Sequence, residues 1–175
     1  YLRSLDTGVS TNNYADANQL LESIKGYQFK YASNIIPSDK KIQAEILYNK
    51  YDIFKNLFLY YFLAGLLFFV FIILNIFSEN KLINNFMKYI FIIFRSSIVV
   101  LFIAHTFGLI ARWYISGHAP WGDAYESMIY VAWATMGIGL LFIKKSDLTL
   151  ASTSFVTSMI LMIAHWNWMD PSIAN

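Results

Sequence analysis

Residues 57–77 read LFLYYFLAGLLFFVFIILNIF, an unbroken apolar run without a single charge. At 1.5 Å per residue such a run crosses the roughly 30 Å hydrocarbon layer of a bilayer as one helix. Three further stretches resemble it. The second runs over about 89–115 and contains Arg95, whose long side chain can reach the head groups from near one end. The third covers about 125–143. The fourth, about 148–168, is diluted by Ser152, Thr153, Ser154, Thr157 and Ser158, hydroxyls that in a membrane pack against neighbouring helices. The expected fold is all-α, a polytopic membrane protein with four transmembrane helices.

Composition agrees with this architecture. Hydrophobic residues make up 57% of the chain and charged residues 14%, too apolar a balance for a water-soluble domain of 175 residues. With 15 Phe, 12 Tyr and 5 Trp, the chain is rich in rings that favour the membrane–water boundary. A net charge of +2 provides no field for neutralising phosphates, so no nucleic acid is expected as a partner. The absence of Cys excludes disulfides and thiolate chemistry within this stretch. The chain starts at Tyr1 without a signal pattern and stops just after a Pro-containing turn, and it reads as a piece of a larger protein.

Residues 1–55 differ in kind from the remainder, carrying 7 of the 13 basic and 6 of the 11 acidic residues. They are expected to form a helical segment in water, and residues 56–175 the four-helix membrane region. Leu20, Leu21, Ile24 and Tyr27 have helical spacing within 14–31. Ile35-Ile36-Pro37-Ser38 reads as a break and an N-cap, with a second helix starting at about Asp39 and continuing into the membrane. Lys81 and Lys88 in one short loop and Lys144-Lys145 in another mark those loops as cytoplasmic. Both ends of the chain are then extracytoplasmic.

Candidate functional residues concentrate between spans two and three. His105 falls near the middle of span two, where an imidazole needs either a hydrogen-bonding neighbour helix or a ligand. Arg112 lies seven residues on, along the same face. His118, between Gly117 and Pro120, reads either as a solvated loop residue or as a group that ligates iron or shuttles a proton. Asp123 suits a helix start. Glu126, Tyr130 and Trp133 form a stripe that can pair Glu126 with Arg112 across the helix hairpin, a structural clamp. His165 beside Trp166 and Trp168 reads as part of an aromatic belt. No HExxH, Walker loop or nucleophile elbow occurs, no catalytic residue is assigned, and three scattered histidines make no metal site.

The run RWYISGHAPWGDAYES (112–127), with Trp133 seven residues after Glu126, resembles the CcsA/ResC subunit of system II cytochrome c biogenesis. Residues 14–77 and 165–175 are similar to the flanking parts of its fused CcsBA form. The resemblance implies a haem-handling membrane core, part of a holocytochrome c synthase of the bacterial inner membrane. Haem is then its substrate, apocytochrome c a partner, and the CcsB/ResB portion with the rest of the CcsA portion its companions. This stretch alone would not complete the reaction. The family's Trp-rich external motif is only mimicked by Trp166-Asn-Trp168-Met-Asp170, so no histidine inherits a ligand role. The matching residues are the haem candidates: His105, Arg112, Trp113, His118, Trp121, Tyr125, Glu126 and Trp133. Arg112 is expected to meet a haem propionate while the tryptophans wall the ring. The contrasting expectation is a structural helical module whose haem is bound elsewhere.

Overall fold

A computed structural model describes residues 1–32, 37–77, 81–119 and 121–166. Ile35, Ile36, Pro120 and the tail 167–175, with Trp168 and Asp170, lie outside these. All regular structure among the described residues is helical. The chain divides into two compact units, one spanning Tyr1–Ile42 and the other starting at Gln43.

The first unit is a helical hairpin, α1 (Leu2–Thr11) and α2 (Ala15–Ala32). Its turn explains why α1 escaped the periodicity reading. Asn12 takes the left-handed conformation (φ 52°), and its N–H returns to the Gly8 carbonyl. The Asn13 side chain then accepts the Ala15 N–H at 3.1 Å, opening α2. Gly8 is buried beneath Tyr14, where a Cβ would come within 2.9 Å of the ring.

The helix expected to run unbroken into the membrane is interrupted. α3 (Asp39–Tyr51) stops before Asp52, whose left-handed backbone (φ 40°) precedes α4 (Ile53–Ile76). Aspartate tolerates this region better than most residues, and the Asn56 side chain caps the freed Tyr51 carbonyl at 2.8 Å. α5 (Lys81–Ser116), α6 (Ala124–Leu141) and α7 (Asp147–His165) follow. Consecutive members of the set α4 to α7 pack together, and α7 closes against α4, giving a four-helix bundle. Phe54, Tyr61, Phe68, Ile98, Ile129, Met136, Leu150 and Leu161 form its core.

Contacts between α4, α6 and α7 are as close as backbones allow. A Cβ on Gly65 would lie 2.8 Å from the Phe155 nitrogen and 2.9 Å from the Ala151 carbonyl oxygen. Gly139 meets the Thr153 side chain in the same manner, its Cβ position 2.7 Å from Thr153 Cβ. α6 continues straight through Gly137 and Gly139, so these glycines serve packing and not a broken helix. Of the five hydroxyl residues expected to pack against neighbours, Ser154, Thr157 and Ser158 are buried and Thr153 is half-buried, whereas Ser152 is exposed; Ser154 donates to the Tyr61 carbonyl at 3.0 Å. Arg95 has a partner within the protein. It forms a two-point pair with Asp147 (2.7 and 2.8 Å), tying α5 to the first turn of α7.

Three helices among the described residues are long and apolar enough to cross a membrane: Asp39–Ile76, Asn85–Ser116 and Asp147–His165. The protein is thus a polytopic helical membrane protein. α6, expected as a fourth span over 125–143, is not in that set. It ends at Leu141, and Tyr125, Glu126, Ser127, Tyr130, Trp133 and Thr135 lower its apolar character. Its polar groups are turned to neighbours inside the bundle, as described below.

Gly65→Val should lower the thermal stability of the purified protein in detergent by roughly 1–3 kcal/mol, because the added atoms meet backbone that has no room to yield. Gly26→Ala in α2 meets nothing within 4 Å and should be neutral or stabilising by up to about 1 kcal/mol. Equal melting shifts for the two would contradict the packing described.

Candidate functional site

The last turns of α5 and the first turn of α6 are held by a short loop with its own internal bonds. Gly117 takes φ 78°, which reverses the chain, and its N–H returns to the Trp113 carbonyl at 2.9 Å. Ser116 Oγ donates to the His118 carbonyl (3.0 Å), and the Trp121 N–H to that of Ala119 (2.8 Å). Asp123 caps α6 by accepting the Glu126 N–H at 2.6 Å, so its helix-start reading holds.

This loop brings Glu126 beneath Arg112. Arg112 Nε donates to Glu126 Oε1 at 2.8 Å, and both side chains are fully buried. Glu126 Oε2 accepts the Gly122 N–H, also at 2.8 Å. A Cβ on Gly122 would sit 3.2 Å from that oxygen and 3.0 Å from the His118 ring, so the absence of a side chain permits the approach. Asp123 adds a second carboxylate 3.6 Å from the guanidinium, and the Tyr125 ring lies under it at 4.9 Å. Tyr48 of α3 also faces the guanidinium. The clamp read from the sequence is present, and Gly122, Asp123 and Tyr48 complete it. Only the helix-start role of Asp123 was visible in the sequence. The backbone donor has no residue-type signature, and Tyr48 lies 64 positions away from Arg112.

His118 is half-buried at the edge of the cluster. Its Nδ1 is 3.1 Å from the Ala119 carbonyl and 4.0 Å from Glu126 Oε2. His105 is elsewhere, fully enclosed in the core, its Nε2–H donating to the Ile129 carbonyl of α6 at 3.1 Å. Phe54 and Tyr61 pack its ring, with centroids 5.4 and 6.0 Å away. Gly108 makes space for Phe54, whose ring would be 3.0 Å from an added Cβ. Of the two readings of His105, the geometry matches the one in which it bonds a neighbouring helix.

The tryptophans gather on the far side of the hairpin. Trp133 is stacked between Phe102 (5.5 Å) and Tyr130 (5.6 Å), and Trp121 meets Tyr130 edge-on at 5.5 Å. The Trp133 indole N–H donates to Thr106 Oγ at 2.9 Å, and Thr106 donates in turn to the Phe102 carbonyl at 2.8 Å. Leu109, Ile110, Trp113, Ala119, Trp121 and Tyr130, with Thr106 and Trp133 at the base, enclose a groove of about 290 Å³. The structure therefore sorts the eight expected residues into three places. Arg112, Tyr125, Glu126 and His118 form the ion-pair cluster, Trp113, Trp121 and Trp133 the groove, and His105 the bundle core. Phe102 and Thr106 were not singled out in the sequence, where nothing links them to a tryptophan about thirty positions on.

Arg112 has no exposed surface, and two carboxylates surround it. Glu126→Ala should cost roughly 3–5 kcal/mol by leaving the guanidinium buried without its main counter-charge. The paired change Arg112→Leu with Glu126→Leu should cost markedly less than either single truncation. Thermal unfolding of the purified variants in detergent measures both; additive losses would show the pair to be no clamp.

No family model matches the chain. Protein NrfI of Wolinella succinogenes is 35% identical over 162 residues, covering 93% of this chain and 18% of that protein. The cytochrome c biogenesis protein CcsA of Solanum lycopersicum is 35% identical over 81 residues, 41% of this chain and 26% of that protein. CcsA of Prochlorococcus marinus is 33% identical over 81 residues, 46% of this chain and 25% of that protein. The chain spans between 18% and 26% of the length of these curated relatives, and none of their names speaks for the fused arrangement. Taken with the membrane bundle, these likenesses support the cytochrome c biogenesis family for this protein.

Proposed function

We propose that this chain is part of the haem-handling membrane core of a system II cytochrome c synthetase, which delivers haem across the membrane for attachment to apocytochrome c. The observation that carries the reading is the aromatic groove between α5 and α6. Its walls are flat rings and aliphatic side chains, the surface that a macrocycle with an apolar face requires. Haem is the substrate, and Trp113, Trp121 and Trp133 are the residues assigned to it. Arg112, Glu126 and Tyr125 hold α5 and α6 at the spacing that opens the groove, with His118 at the edge of that cluster. His105 contributes to the core.

The fused arrangement is part of the same proposal. It is supported by the extent of the likeness to NrfI, 93% of this chain against 41% for tomato CcsA, in a relative of which the chain covers only 18%. The companions are then a CcsB/ResB portion and the remainder of the CcsA portion. The membrane is the bacterial cytoplasmic one. Lys81 and Lys88 in the first turns of α5 and Lys144-Lys145 between α6 and α7 support a cytoplasmic side for that end of the bundle, with the α5–α6 turn outward. A second reading, a structural module without haem of its own, draws on the Arg112–Glu126 pair, which satisfies its ionisable groups internally.

The full-length protein purified in detergent should show a Soret band. Trp113→Ala combined with Trp121→Ala should weaken haem retention by about tenfold or more, as loss of exposed aromatic anchors does. Unchanged haem content would favour the structural module.

A further inference from the structure

The groove's chemistry constrains how a ligand lies in it. No polar atom is exposed on its wall. The two hydrogen-bonding groups at its base are consumed by each other and by the backbone, Trp133 Nε1–H donating to Thr106 Oγ and Thr106 donating to the Phe102 carbonyl. The cation nearest along α5, Arg112, is fully buried on the other side of the hairpin within its own pair of carboxylates. A carboxylate pushed into this space would lose water and meet no cation, which is unfavourable. The volume of about 290 Å³ is at the lower end for a small-molecule site, enough for one edge of a large planar ligand. Trp133 offers no open ring face, being stacked on Phe102 and Tyr130, whereas Trp113 and Trp121 are 55% and 61% exposed at the mouth.

We infer that the groove takes the apolar edge of haem, the side bearing methyl and vinyl groups, and leaves both propionates outside it in solvent. The inference rests on the haem reading of the groove and replaces the expected contact between Arg112 and a propionate. Trp113 and Trp121 cover the faces of the inserted edge. Recognition is by shape and apolar contact, so esterifying the carboxylates changes nothing that the groove touches.

The test uses the full-length protein in detergent, titrated with iron protoporphyrin IX and separately with its dimethyl ester. The readout is quenching of Trp113 and Trp121 emission, taken as the difference between the native protein and the Trp113→Phe/Trp121→Phe variant, with the two single variants as a check on folding. Both ligands are expected to quench these indoles with midpoints within about threefold of each other. Ala119→Leu, which fills the groove, is expected to weaken both alike. Haem quenching accompanied by a loss of about tenfold or more for the diester would overturn the orientation and leave the haem reading standing. Quenching by neither, with quenching by a brominated phospholipid acyl chain instead, would overturn both and make the groove a lipid site.

Discussion

The buried pair between Arg112 and Glu126 is the constraint from which the α5–α6 end of the bundle takes its form. A guanidinium and a carboxylate removed from water must meet each other with good geometry or destabilise the fold by several kcal/mol. Meeting that demand specifies the helix ends around them. Glu126 needs a second donor, which Gly122 provides only because it has no side chain to obstruct His118 and the carboxylate. Asp123 must cap α6 and face the guanidinium at once. These bonds join the first turn of α6 to the last turns of α5.

The groove follows from this joint. With α5 and α6 fixed on one side by charge, the opposite side is left to rings, and Phe102, Trp133 and Tyr130 stack along it in sequence. The separation of the two sides explains a chemical division of labour within a single helical hairpin. The Arg112–Glu126 pair is buried, and the groove lining is apolar. The opposite end of the bundle is tied in a comparable way by Arg95 and Asp147, a part-buried two-point pair between α5 and α7.

Much of the site was legible in the residues themselves. The pairing of Arg112 with Glu126 is readable because two opposite charges, each expensive in a membrane, flank one short loop, and each is the other's nearest remedy. Asp123 announces its capping role by residue type and by its position before an apolar run. His105 was open between two partners, since periodicity gives its depth and not its neighbours; the carbonyl of Ile129 lies on another helix. Phe54 and Thr106 carried no signal, because a filler and a relay hydroxyl are defined only by what they face.

The amino-acid sequence by itself determined a helical membrane protein, the approximate extents of α4, α5 and α7, and the residues able to form an ion pair across the α5–α6 turn. These depend on hydropathy, charge and local capping, which act along the chain. Only the tertiary structure decided that the helix through Asp52 is interrupted and that α1 forms. It likewise decided that Arg112 is buried between two carboxylates and that Trp113, Trp121 and Trp133 line one groove while His105 lies apart. Those outcomes depend on distances between helices, set by glycine contacts such as Gly65 on Ala151 and Phe155 and by burial that no spacing along one helix encodes.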